Sequence, residues 1–487
     1  MSERHLVVVG GGITGLAAAW EASAHDGVRV TVLEASDRAG GKLRTSAMTL
    51  DDGTELRIDE GADAFLARVP DAVRLCHELG LGDELTQPAI GRAKVFSGGA
   101  LKFLPEDTVL GVPTDMDALA ASGILSEDGL LAARGELERT GPGPHGDVAI
   151  GTFLAEHYGS ELVDRVVGPL IGGINAGDID ELSMDAVTPQ LAAAAADGGS
   201  MTTALAARRP SAPEVGPVFH AVLGGSGRLV EALVEALLER GVELRLDAQL
   251  RQLRHGGDRW ELIVGHRTDT EPPGSGTELL SDDANLLDTH TEMLDADAVV
   301  LATPAPDAAT LLETLCHAAA GELAAMTHSA VALATLVYRA EDVPTPMDAS
   351  GFLVPRTEGL LLTAASWGSS KWAHWNDGHH VVLRVSAGRT GDERQMSMDD
   401  HQLLDALRSD LATTMGISEA PVATRIARWP LGFTQYTVGH LDRVDRIDAA
   451  LAIDCPTIAL AGAAYRGLGI PACIRQGREA ARHLLLR

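Results

Sequence analysis

Aromatic side chains are scarce in this chain: Phe, Trp and Tyr together make up 3% of 487 residues. Cysteine is scarcer still. Cys76, Cys316, Cys455 and Cys473 are scattered, with no C-x-x-C pair and no metal-ligand spacing, which excludes a disulfide scaffold and a zinc module and predicts a reduced, cytoplasmic setting. Basic residues are outnumbered, 39 against 69 acidic, for a net charge of −30. A surface this acidic repels phosphate backbones and anionic lipid, so nucleic-acid partners and membrane docking through basic patches are not expected. The longest apolar runs, such as 191–196 and 330–338, fall far short of the ~20 residues that span a bilayer, so no transmembrane segment is expected. The opening MSERHLVVVGGG enters a buried-strand pattern at once, and neither a signal peptide nor an N-x-S/T acceptor is read.

What is abundant is small and aliphatic. With 45% hydrophobic residues the chain has apolar mass for two to four domains, at about 100–200 residues each. Residues 6–9 form an apolar run ending at Gly10-Gly11-Gly12; 13–25 is alanine-rich and reads as helix; Val28–Leu33 reads as a second buried strand, closed by Glu34. Both strands suit a parallel sheet covered on both faces. Residues 115–205 read as helical around a Gly/Pro loop at 141–146, 229–240 as an amphipathic helix and 242–246 as a strand. The acidic, aperiodic stretch 266–296 predicts a flexible surface insertion in a hairpin. A buried strand at 298–302, a mixed or antiparallel sheet across 330–430, a strand at 457–461 and a closing helix over 473–486 complete the pattern. The two ends read as one kind of unit, so the expected class is α/β, with a discontinuous Rossmann-like domain interrupted by others.

The sharpest motif is Gly10-x-Gly12-x-x-Gly15 between strand and helix, with Glu34 closing the next strand. Gly10 makes the tight turn, Gly12 lets backbone approach a pyrophosphate, and Gly15 lets helix and strand pack. The pyrophosphate would sit on the helix N-terminus at Ile13 and Thr14, and Glu34 would take ribose hydroxyls. The string recurs at Gly141, Gly143 and Gly146, where two prolines and no flanking strand mark a loop.

Downstream of Glu34 lie Ala35, Arg38, Gly40, Gly41, Lys42 and Leu43, a segment that resembles the second FAD signature of the flavin amine oxidase superfamily, E-A-x-x-R-x-G-G. The end of the chain, Gly462 to Ile474 through Gly467, Gly469, Ile470, Pro471, Ala472 and Cys473, resembles the G-x5-G-x-P-x-C-I ending of the protoporphyrinogen and coproporphyrinogen oxidases. Residues 59–66, with Gly61, Ala62 and Asp63, resemble that family's E-x-G-P-D-S-F-L segment. Gly173-Ile174-Asn175-Ala176-Gly177-Asp178 with Leu182-Ser183 resembles its G-V-Y-A-G-D…L-S motif. Gly351-Phe352-Leu353-Val354-Pro355 and the stretch from Trp429 to His440 resemble G-F-L-V-P and W-x-x-x-x-P-Q-Y-x-x-G-H. The chain departs from the pattern at Asn175 (tyrosine in the motif), Ala62, Ala64 and Thr434, and the glycines at 224–227 lack a preceding arginine.

The resemblance implies bound FAD and the oxidation of a porphyrinogen, with hydride passing from a bridge carbon to flavin N5 and oxygen reduced to hydrogen peroxide. Soluble Gram-positive-type relatives take coproporphyrinogen III; protoporphyrinogen IX is the alternative, with a flavin amine oxidase, a carotenoid desaturase or a non-catalytic FAD carrier further off. The implied cofactor set adds Leu250 and Trp429 to the residues above. The implied substrate set is Arg92, Lys94, Gly173, Asn175 and Leu353, with Arg92 and Lys94 reading equally well as solvated charges before a hairpin. No general base stands out. Cys473 reads as a small packed residue, and His374, Asp377, His379 and His380 as a surface loop rather than a metal site. The expected division is an FAD domain over 1–80, 222–308 and 426–487, a substrate domain over 81–105 and 309–425, and a helical domain over 106–221. Expected partners are the porphyrinogen and oxygen, with transient contact to a downstream ferrochelatase, in a monomer or homodimer.

Overall fold

The computed structural model describes residues 3–209, 216–266 and 291–486. Five parallel strands form its first sheet, in the order Glu243–Arg245, Val28–Leu33, Arg4–Val9, Ala298–Leu301, Ile458–Leu460. Arg4–Val9 lies at its centre, and its apolar side chains are buried on both faces: Leu6 and Val8 pack with the N-terminal helix Ile13–Ala22, and Val7 and Val9 pack with Leu253, Leu262 and Ile447. Alternation on a doubly covered strand is why this segment reads as an unbroken apolar run. The chain leaves the central strand toward one neighbour while the other neighbours arrive from distant sequence. That is a switch point, where open α/β sheets bind ligands beyond the strands' carboxyl ends.

The N-terminal helix packs against the closing helix Ile470–Leu485. Contact is close because Gly477 faces Thr14, where a Cβ would stand 2.1 Å from the Thr14 carbonyl oxygen. Further along, Arg482 pairs with Glu21. The helices therefore run parallel, with their N-termini on the same side. The closing helix starts three residues earlier than expected, at Ile470, because Pro471 fits a first helical turn, where its missing N–H is not needed.

The second large sheet has seven strands in the order Ala423–Thr434, His328–Arg339, His380–Ala387, Leu362–Trp367, Gly351–Leu353, Lys94–Ser97, Ala100–Phe103, antiparallel except where Gly351–Leu353 meets Lys94–Ser97. One face is covered by the helix Asp400–Met415, whose Leu403, Leu407 and Leu411 join Phe352, Leu336, Leu383 and Val385. Helices between 116 and 208 bury a separate cluster around Leu154, Tyr158, Val166 and Ile171. Most of the stretch expected as a flexible insertion, 267–290, lies outside the described residues. Its far end is regular: Thr291–Ala296 pairs antiparallel with Trp260–His266, from Trp260 opposite Ala296 to Gly265 opposite Thr291.

Candidate active site

The glycines at the end of the central strand build a narrow cradle. Gly10 has φ +104°, open to glycine and strained for other residues, and a Cβ there would stand 2.6 Å from the Ala302 carbonyl oxygen. A Cβ on Gly15 would stand 1.9 Å from Gly10 O, so helix and turn touch backbone to backbone. The second glycine pair lies on the first: Gly40 N donates to Gly11 O at 2.8 Å, and a Cβ on Gly41 would lie 3.2 Å from Gly12 Cα. Outward from this contact there is room. A Cβ on Gly12 would meet nothing nearer than 4.0 Å, one on Gly462 nothing within 4 Å, and one on Gly469 only Pro471 Cδ at 3.7 Å.

The helices beginning at Ile13 and Ile470 have no side-chain cap and no acid in their first turn. Free N–H groups and two helix dipoles therefore converge beside the open glycines, the arrangement that holds a phosphate or the electron-rich edge of a ring. Glu34 fixes the loop's shape: Oε2 accepts from Gly11 N at 2.7 Å, and Oε1 from Ser36 N and Oγ at 2.9 and 2.7 Å. Leu250 is buried two residues beyond Ala248, whose N–H donates to Glu34 O at 2.9 Å. Arg38 donates to Gly41 O at 2.7 Å and Ala39 O at 3.2 Å, and makes no ion pair among the described residues. Lys42 Nζ reaches the carbonyls of Leu431 and Gly432 at 2.5 and 2.6 Å, and desolvation pulls its ammonium down to about 8.

The loop leading to the closing helix is held from below. Tyr436 Oη donates to Ala463 O and accepts from Gly467 N, both at 2.9 Å. His440 stacks on that ring with centroids 3.8 Å apart, and its Nε2 lies 2.7 Å from Tyr465 O. Burial of His440 pulls its imidazole down to about 4, so it is neutral at pH 7. Cys473 is buried near Leu468 O at 3.6 Å, and burial pushes its thiol up, as suits a packed residue and not a nucleophile.

Beside the cradle stands the other face of the long sheet, covered at one end by Met48, Leu50, Trp372 and Trp375 over Val337 and Val382, and at the other by the helices that pack on Val95 and Leu353. Register places Arg425, Thr335, Arg384, Ser366 and Gly351 in one row, and Ala427, Leu333, Ser386, Ala364 and Leu353 in the next. Arg384 Nη1 lies 3.1 Å from Asp63 Oδ2 and the guanidinium also holds Gly61 O; Arg425 pairs with Glu60 at 3.2 Å; Trp429 Nε1 donates to Glu60 O at 2.9 Å. Asp63 also meets Lys371 and Trp372 Nε1. Burial works against its charge, but Lys371 and Arg384 outweigh that and hold the carboxyl well below the usual range. Three strand side chains thus clamp the 60–63 loop beside the cradle. The second row is mostly small, half-buried side chains, and it leads from that clamp toward Gly173–Asn175.

At that far end the helix Val163–Gly172 is of the wide π type, and Ala176 holds φ +46°. Both are features that proteins keep mainly at functional sites. A Cβ on Gly173 would lie 3.6 Å from Leu353 Cδ2, so this segment abuts the row. Asn175 turns its amide back onto Ile171 O at 2.8 Å, and its carbonyl accepts from Gln435 at 3.1 Å.

A scan of family models matches flavin containing amine oxidoreductase over residues 13–485. The chain belongs to this family. Among its relatives are coproporphyrinogen III oxidases of Propionibacterium freudenreichii subsp. freudenreichii (34% identity, 99% of this chain and 90% of the relative) and Bacillus subtilis strain 168 (30%, 98% and 97%). A crystal structure of a provisionally named protoporphyrinogen oxidase from Exiguobacterium sp. 255-15 superposes with TM-score 0.84 at 31% identity, over 100% of this chain and 99% of that one.

The cradle fits the flavin of this amine oxidoreductase family: the open glycines, the two uncapped helices and Arg38, without an ion pair among the described residues, suit an anionic group, with Gly61, Ala62 and Trp429 alongside. The substrate-side expectations fare unevenly. Lys94 stands opposite Phe352 in register and so shares its face, the one covered by the helix. There its ammonium pairs with Asp348 at 2.5 Å, so Lys94 is a structural cation and not a cleft residue. Arg92 lies 4.0 Å over the Phe103 ring and 3.5 Å from Glu106, at the exposed edge of the same sheet. Leu353, one residue on from Phe352, lies on the opposite face, half-buried against the 116–208 helical cluster and beside Gly173. His380 Nδ1 lies 2.7 Å from Asp377 at the start of its strand. No sequence motif marks Arg384, Lys371 or Arg425 for this site; Tyr436 lies within the stretch from Trp429 to His440.

Proposed function

We propose that this chain oxidises coproporphyrinogen III to coproporphyrin III in haem biosynthesis, in the cytoplasm, with FAD as cofactor and oxygen as acceptor. The observation that carries the reading is the near-full-length similarity to coproporphyrinogen III oxidases at up to 34% identity. The long sheet supports it: small side chains (Ala427, Ser386, Ala364, Ser366) on the face toward the 60–63 loop suit a flat macrocycle, where an amine would need a close aromatic cage. Bound FAD would supply the hydride acceptor for the bridge carbons and pass the electrons to oxygen.

The chain's own part is positional. Glu34 and the glycines hold the dinucleotide, the clamped 60–63 loop keeps the cradle's rim fixed, and the helix at Ile470 offers N–H groups to developing negative charge. The same reading divides the chain into a discontinuous FAD domain, a substrate domain and a helical domain, with transient contact to a ferrochelatase.

The test is porphyrin fluorescence growth in air, with the purified flavin-loaded protein and each porphyrinogen in turn, after the released cofactor has been identified by mass. Preference for coproporphyrinogen III is the expected result. Equal or better use of protoporphyrinogen IX would favour the second reading, suggested by the bovine protoporphyrinogen oxidase at 26% identity. No rate above autoxidation with either would overturn both.

A further inference from the structure

Where the half-buried row of the long sheet runs out, three arginines gather against two carboxylates. Arg389 opens a tight turn after His380–Ala387, closed by Arg389 N to Asp392 O at 3.1 Å and Asp392 N to Arg389 O at 2.9 Å. The next residue docks the turn onto the 173–178 segment: Thr390 N donates to Ala176 O at 2.9 Å. Arg356 braces it from the other side, donating to Gly177 O at 3.2 Å and Thr390 O at 2.8 Å, with Asp178 Oδ2 at 3.8 Å. Arg394 is consumed by Asp392 in a bidentate pair of 2.7 and 2.9 Å, and Glu393 accepts from Ala330 N at 2.9 Å.

That leaves Arg389. Its guanidinium makes no hydrogen bond and no ion pair among the described residues, and Nε is buried without a partner. Burial, with Arg356 and Arg394 nearby, works against its charge and outweighs the support from Asp392, which lies near without forming an ion pair. In a chain carrying thirty surplus negative charges, a half-buried guanidinium with no ion pair among the described residues, next to the turn docked on Ala176, is suited to take an anion. Planar guanidinium matches a carboxylate with two parallel bonds, and such charge-assisted pairs are among the stronger ones a protein makes.

We propose that Arg389, braced by Arg356, is a carboxylate subsite at the 173–178 end of the cleft that takes one propionate of the porphyrinogen. The inference rests on the proposed function and names a residue that binds its substrate through one of the propionates.

The experiment compares wild type with Arg389→Gln and Arg389→Lys, all flavin-loaded and checked for unchanged flavin content and melting temperature. Binding of coproporphyrin III and of its uncharged tetramethyl ester is read by fluorescence quenching, and KM and kcat are measured with coproporphyrinogen III. Arg389→Gln is expected to weaken coproporphyrin III binding and raise KM about tenfold to a hundredfold, with kcat within about twofold of wild type and ester binding unchanged; Arg389→Lys recovers part of the loss. Wild-type binding of coproporphyrin III by Arg389→Gln, or an equal loss for the ester, overturns the subsite while leaving the proposed function standing. A wild type that neither oxidises a porphyrinogen nor binds its product overturns both. If Arg389→Gln fails to fold, Arg389→Lys decides: its KM must rise without a change in ester affinity.

Discussion

Asp63 and Arg384 meet across 321 positions of sequence, with Oδ2 3.1 Å from Nη1, and their pairing fastens the 60–63 loop to the face of the long sheet. Lys371 shares the same oxygen at 3.1 Å. Removing the carboxylate leaves two buried cations opposed, which typically destabilises by about 3–5 kcal/mol. Asp63→Asn should therefore melt well below wild type at pH 7. The sign with pH follows from the depressed carboxyl: its contribution is complete above the carboxyl's unfolded value and is lost only as pH falls through the lower folded one. The wild-type advantage in urea should thus hold level from pH 7 to 5 and shrink only in stronger acid. An advantage already halved at pH 5 would contradict the pairing.

His440 titrates in a window of its own. Its imidazole, ordinarily near 6.5, is lowered to about 4 by burial, so the fold prefers it neutral. Its contribution is present above the unfolded value and is lost as pH falls from 6.5 toward 4. One pK unit corresponds to about 1.4 kcal/mol, giving a loss on the order of 2–3 kcal/mol across that window. The stability difference between wild type and His440→Gln, measured by urea titration at pH 7 and pH 4.5, should fall by most of this amount. A difference that does not change with pH would mean the histidine is not buried neutral.

The two ends of the glycine motif are separable. Gly12 has φ −69° and ψ 173°, which alanine adopts freely, and a Cβ there meets only open space. Gly15 has no such room, since a Cβ falls 1.9 Å from Gly10 O. Gly12→Ala should keep wild-type stability within about 1 kcal/mol yet purify with little or no flavin absorbance near 450 nm. Gly15→Ala should lose both stability and flavin. If Gly12→Ala retains full flavin, the cradle is not where the cofactor's phosphates lie.

How legible the site was depended on how far apart its parts lie in the chain. Gly10, Gly12, Gly15 and Glu34 belong to one βαβ unit, where spacing alone dictates geometry, so the cradle could be read directly. Arg384, Lys371 and Arg425 reach the 60–63 loop from more than 300 positions away, and nothing local distinguishes them from surface cations. Lys94 illustrates parity: it sits one residue from Val95, and one step along a strand moves a side chain to the other face. Its neighbour Val95 stands opposite Leu353, buried against the 116–208 helices, while Lys94 on the other face is buried against Asp348. The closing helix begins at Ile470, three residues before the expected 473, because Pro471 stands inside its first turn and not ahead of it.

The hydroxyl of Tyr436 supports the last prediction. It ties Ala463 O and Gly467 N, two main-chain groups on either side of the turn that presents the closing helix. Tyr436→Phe keeps the ring and its stacking on His440 but strands both groups, and a buried unsatisfied group costs about 1–3 kcal/mol. The loop should respond in two ways. Melting should drop by a few degrees, on the order expected for such a loss in a large chain, and flavin should bind more weakly, because the N–H groups at Ile470 are aimed by that loop. Tyr436→Phe with wild-type melting but weakened flavin would point to direct contact of the hydroxyl with the cofactor. Unchanged flavin affinity with a lowered melting temperature would confine Tyr436 to stability and remove it from the cradle.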